Sequence, residues 1–92
     1  MNQREIDLAE EYCSRASIKM REGDFQSAIG DYTAALDIQQ DGWTHFLRGK
    51  AFLLIHHNDD ALSDYLRAKE LGIPIHHDLI DICTRSARED VQ

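Results

Sequence analysis

Apolar residues recur along the chain at spacings of three and four, the period of a helix with one face to bury. Ile6, Leu8, Ala9, Tyr12 and Ala16 form one such stripe, and Phe25, Ala28, Ile29, Tyr32, Ala35 and Leu36 form a second. Ala61, Leu62, Tyr65, Leu66, Ala68 and Leu71 form another. Between the stripes stand helix breakers: Gly23-Asp24, Asp41-Gly42, His57-Asn58 and Gly72-Ile73-Pro74. β-Branched residues are sparse and the segments have helix length. The pattern therefore predicts an all-α chain of five antiparallel helices, over about 3–22, 25–38, 42–55, 59–71 and 77–89. Asn2, followed by Glu5, reads as a capping box. Asp24, Asp41 and Asn58 each precede a periodic segment and read as N-caps.

Sliding the chain by 33 residues aligns it with itself. Ala16 falls on Gly49, Ala28 on Ala61, Tyr32 on Tyr65 and Ala35 on Ala68; Arg15 falls on Arg48 and Asp31 on Asp64. Small residues recur where two helix backbones must approach, and an aromatic recurs where a bulky side chain must fill the gap between hairpins. Segments 9–41 and 42–74 thus read as two copies of one helix–turn–helix unit, with 77–89 as a further helix closing the stack in a single domain over 1–92.

These residues resemble the tetratricopeptide repeat family. The first copy carries Ala16, then Gly23-Asp24-Phe25 at the turn, then Ala28, Tyr32 and Ala35-Leu36; the second carries Gly49-Lys50-Ala51-Phe52, Ala61, Tyr65 and Ala68. The chain departs from the pattern at several positions. Arg15 and Arg48 stand for Leu, His45 for an aromatic, Gln40 for Pro, and His56-His57-Asn58 for the Gly-Asp-Tyr turn. The resemblance implies a superhelical stack whose first, third and fifth helices line a concave groove for a peptide or partner helix. Carried over by position, the groove takes Glu10, Cys13, Ser14, Ser17, Met20 and Arg21 from the first helix. Trp43, Phe46, Leu47, Lys50, Leu53 and Leu54 follow from the third, and His76, Leu79, Ile80, Cys83 and Ala87 from the fifth. One subfamily clamps the C-terminal carboxylate of heat-shock chaperones with Lys, Asn and basic residues. Here those positions hold Cys13, Ser17, Leu47, His76 and Ile80, so no chaperone clamp is expected.

The third helix is apolar nearly all round, since Ala51, Phe52 and Ile55 face inward while Trp43, Phe46, Leu47, Leu53 and Leu54 face the groove. Two outcomes follow. Either an apolar strip stays open for a protein contact, with a foreign peptide, a partner helix or a second copy of the chain as occupant, or Leu79 and Ile80 of the last helix fold over it. The expected partner-binding residues are Trp43, Phe46, Leu47, Lys50, Leu53, Leu54, Leu79 and Ile80.

Charge and composition narrow the field. Ten Lys and Arg against seventeen Asp and Glu leave a net charge of -7 in 92 residues. Such an acidic chain lacks the clustered cations that nucleic-acid phosphates demand. No apolar run reaches the roughly 18 residues of a membrane span, and a charged start argues against a signal peptide. Two cysteines seventy positions apart are no disulfide scaffold, so a cytoplasmic setting is expected. His56-His57 and His76-His77 invite a metal reading. The pairs lie at opposite ends of a hairpin, roughly 20 Å apart, and neighbouring histidines on one helix diverge, so neither a metal nor a cofactor is expected. No phosphate loop, nucleophile elbow or metalloprotease motif occurs, and no enzymatic activity is expected. Arg15 and Arg48 read most simply as snorkelling side chains, with Asp31 and Asp64 as alternative partners.

Overall fold

A computed structural model describes residues 2–89. The five helices are α1 (Gln3–Arg21), α2 (Phe25–Ile38), α3 (Gly42–Leu54), α4 (Asn58–Glu70) and α5 (His77–Glu89). Helices α1 and α2 pack as one hairpin and α3 and α4 as the next. The hairpins meet along α2 and α3, and α5 lies against α4. Each element thus touches chiefly its neighbours in sequence, giving an elongated body of 47 × 28 × 17 Å. No described helix is long and apolar enough to cross a membrane.

The apolar positions paired by the 33-residue slide are buried. Ala16, Ala28 and Tyr32 are buried together, and Ala61, Tyr65 and Cys83 form a second cluster. Small residues at the crossings leave room for the aromatic rings. At Gly49, an added Cβ would stand 2.9 Å from Tyr65 Cε1 and 3.3 Å from Asp64 Cβ. A glycine therefore replaces the alanine of the first copy because the Tyr65 ring leaves no space for a methyl group.

Capping accounts for the ends. Asn2 Oδ1 accepts from the Glu5 amide at 2.9 Å, Asp24 Oδ1 from Ser27 at 3.4 Å, and Asp41 Oδ2 from Thr44 at 3.0 Å. The expectation that Asn58 caps α4 is not met. Asn58 is the first residue of the helix, and His57 stands at the cap position without a side-chain bond. The cause lies at the end of α3. The His57 amide donates to the Phe52 carbonyl at 2.9 Å and the His56 amide to that of Leu53 at 3.1 Å. This doubled bond closes the helix with one left-handed residue, shifting the start of α4 by one position. The same closure ends α1 at Gly23 and α4 at Gly72, at φ +80° and +96°. At α3 the left-handed residue is His56, at φ 64°.

A side chain with a Cβ is strained in that region, and glycine is not. Replacing His56 by glycine is therefore expected to stabilise the fold by about 0.5–1 kcal/mol, read as a raised midpoint in thermal unfolding. His56 is exposed, so little packing is lost.

Candidate functional site

Two sets of residues stand out: a polar network between the helices of each hairpin, and an open depression between α1 and α3.

The network repeats with the sequence. Arg15 donates to Asp31 through Nε at 2.9 Å and Nη2 at 2.7 Å; Arg48 donates to Asp64 through Nε at 2.8 Å and Nη2 at 2.7 Å. The simpler expectation, snorkelling, gives way to a two-pronged ion pair in both copies. The guanidinium plane fits both carboxylate oxygens, and each aspartate is buried on the second helix of its hairpin, Asp31 on α2 and Asp64 on α4. The surroundings differ. Arg15 is 58% exposed, whereas Arg48 is 20% exposed. Lys19 adds a second cation to Asp31 at 2.9 Å. Asp64 instead meets His45, whose Nδ1 lies 2.9 Å from Oδ1 and whose Nε2 lies 2.8 Å from Gln40 Oε1. Arg48 Nη1 also donates to Thr33 Oγ1 on α2 at 3.1 Å, so this cluster spans both hairpins.

Hydrogen bonds from Arg15 hold the Asp31 carboxyl at about 2, against the opposing effect of burial, with Lys19 adding to the fall. A carboxyl depressed in the folded state stabilises above its unfolded value, near 4, and loses that contribution as pH falls toward 2. Acid titration of stability should therefore show a loss in this window, on the order of 1 kcal/mol because the exposed Arg15 is screened by water. In Asp31→Asn that component of the acid limb should vanish. An unaltered limb would show that Asp31 is not its source.

The depression holds ≈ 550 Å³. Helix α1 contributes Ala9, Glu10, Cys13 and Ser17 to its wall, and α3 contributes Trp43 and Leu47. Asp41 lies at the rim while capping α3. No lysine or arginine lines it among the described residues. Beside it runs a shallower hollow walled by Asp7, Glu10, Glu11 and Ser14, so the acidic wall continues along α1. Trp43 is 54% exposed. Its ring stacks on Phe46 at 5.2 Å between centroids, and Phe46 in turn tilts against Tyr65 at 5.7 Å. The exposed indole is thus fixed through Phe46 to the second core.

Of the groove positions expected from the sequence, Glu10, Cys13, Ser14, Ser17, Trp43 and Leu47 line this one depression. Leu47 also packs on the first core with Cys13 and Met20. The rest of the strip is divided. Phe46 and Leu53 are half-buried against Tyr65 and Cys83, together with Leu79 of α5. The last helix therefore shares this core with Phe46 and Leu53 through Leu79 and Cys83. Lys50 and Leu54 remain exposed, and Arg21 and His76 are exposed outside the depression. Ile80 is half-buried and joins neither core cluster nor the depression. The side chain of Ala87 lies outside the described residues.

The acidic character of the wall was not foreseen, although the run Asp7, Glu10, Glu11 at helical spacing carried the signal. Cys13 and Cys83 are both free thiols, and burial pushes the Cys83 thiol up. Compared with protein-family models and with curated proteins, the chain matches none.

Proposed function

We propose that the chain is a tetratricopeptide-type repeat module without catalytic activity, which binds a segment of another protein in the depression between α1 and α3. The observation that carries this reading is Trp43. A large aromatic more than half exposed, held rigid from behind by Phe46 and facing a hollow of ≈ 550 Å³, has the character of an anchor for a protein contact. The hollow is lined by the carboxylates of Glu10 and Asp41 and by the apolar side chains of Ala9 and Leu47. Its complement is a peptide or helix presenting an apolar side chain next to Lys or Arg. Repulsion between two chains of net charge -7 disfavours the alternative occupant, a second copy facing the same acidic wall. The free thiols fit a cytoplasmic setting.

Trp43 is the single tryptophan, so its fluorescence reports occupancy directly. The test titrates the chain with two libraries of amphipathic peptides of equal apolar content, one rich in Lys and Arg, the other in Glu. Binders should come from the basic library, weaken with salt, and be lost in Trp43→Glu, with Glu10→Lys lowering their affinity. Light scattering should show a monomer throughout. Dimerisation that shields Trp43 would replace this reading with self-assembly, and salt-independent binders from both libraries would remove the charge argument.

A further inference from the structure

The turn between α4 and α5 brings together donor side chains that the depression does not use. His76, His77 and Asp78 each present one ligand atom within 4.8 Å of the other two. The imidazole rings lie nearly parallel, at 23°, with centroids 4.6 Å apart. The Asp78 carboxylate reaches both: Oδ2 lies 3.3 Å from His76 Nδ1, and Oδ1 lies 3.2 Å from His77 Nε2. Divergence of neighbouring histidines, expected for two residues on one helix, does not apply. Helix α5 begins at His77, so His76 belongs to the turn and its ring folds back over that of His77.

We propose that His76, His77 and Asp78 form a surface binding site for a divalent transition-metal ion of the zinc, nickel or copper class. Two ligands at 2.0–2.1 Å from one tetrahedral ion stand about 3.3 Å apart. Each imidazole–carboxylate separation has that length, although to a different oxygen of the Asp78 carboxylate. The carboxylate has to turn one oxygen to the ion and the histidine nitrogens have to close up, and all three side chains are exposed, at 66%, 78% and 69%, with room to rotate. Two imidazoles and one carboxylate are a borderline donor set, which selects these metals over magnesium and calcium. Two features oppose the ion. The Asp78 amide donates to His76 Nδ1 at 3.2 Å, a bond given up if that nitrogen is the ligand, although Nε2 of the same ring is an alternative donor. The positive end of the α5 dipole also repels a cation, and the Asp78 charge sits where it offsets this. Water fills the remaining position. An ion held here would tie the turn to the first turn of α5, whose Leu79 packs against Tyr65 and Cys83.

The test is isothermal calorimetry on the chelator-stripped full chain carrying no histidine tag, titrated with zinc chloride and, in parallel, magnesium chloride. One zinc ion per chain should bind in the micromolar range, with no heat from magnesium. His77→Ala and Asp78→Ala should each weaken zinc about tenfold or more while keeping the wild-type circular dichroism, since both side chains lie on the surface. The paired substitution of His56 and His57 by Ala should leave the affinity unchanged. Absence of binding at millimolar zinc would overturn the proposal. So would binding that survives His77→Ala and Asp78→Ala but is lost with His56 and His57 or with Cys13→Ser. Neither result bears on peptide binding at Trp43, which lies on a different helix.

Discussion

Replacing Asp64 by alanine is expected to destabilise the fold by about 3–5 kcal/mol, the cost of leaving buried charge without its partner. Asp64 accepts from Arg48 through both oxygens and meets His45 Nδ1, and its side chain is only 4% exposed. Removing it strands a guanidinium and a ring nitrogen in a place where water cannot fully replace the carboxylate. The equivalent change in the first copy, Asp31→Ala, should cost roughly 1–2 kcal/mol, because Arg15 already stands in solvent and returns to it readily. A domain of this size holds a total stability near the lower end of about 5–15 kcal/mol. Asp64→Ala should consequently populate the unfolded chain at room temperature, whereas Asp31→Ala should not. Urea unfolding followed by circular dichroism distinguishes them. Equal losses would mean that burial does not govern the value of the pair.

Tyr65→Ala is the second change of comparable size, at about 3–5 kcal/mol. The Tyr65 ring is fully buried, fills the space that Gly49 leaves open, and supports both Phe46 and Cys83. Truncation empties the centre of the second core, and the neighbouring backbones cannot close the gap. Tyr65 Oη has no hydrogen-bond partner within the protein among the described residues, and burial pushes its ionisation up to about 12. The hydroxyl therefore adds little, and Tyr65→Phe should lie within about 1 kcal/mol of wild type. Because α5 rests on this cluster through Cys83 and Leu79, amide exchange in Tyr65→Ala should accelerate in α5 more than in α1. Loss spread evenly over all five helices would instead indicate simple global destabilisation.

The helices and the buried set were legible because both follow from local rules. Breakers delimit the segments, and the 33-residue slide picks out Ala16, Ala28, Tyr32, Ala61, Tyr65 and Ala68, all of which are buried. Asp31 and Asp64 also repeat and stood as the alternative partners of Arg15 and Arg48, yet the two-pronged geometry of their ion pairs was not legible. A long arginine side chain has many places to go, and only the crossing of two helices brings its guanidinium onto a carboxylate. Gln40 and His45 depart from the expected repeat pattern at two positions and prove to lie against each other, a compensation invisible when each is read alone. The start of α4 was missed by one residue because a left-handed histidine took the role glycine has elsewhere. Whether α5 would lie over Phe46 or leave it open depended on the direction in which the last helix leaves the Gly72–Pro74 turn. No side-chain pattern encodes that direction, and so the candidate site was legible in its α1–α3 half and undecided in the other.

The bond from Arg48 to Thr33 joins an ion pair of the second hairpin to the side of the first. Thr33 Oγ1 donates in turn to the Ile29 carbonyl at 2.7 Å, so the link runs into the α2 backbone. A stack of this kind would otherwise be free to fray from either end, one unit at a time. With a charged crosspiece anchored in both units, opening the first exposes part of the second, and the two halves should give way together under heat or force.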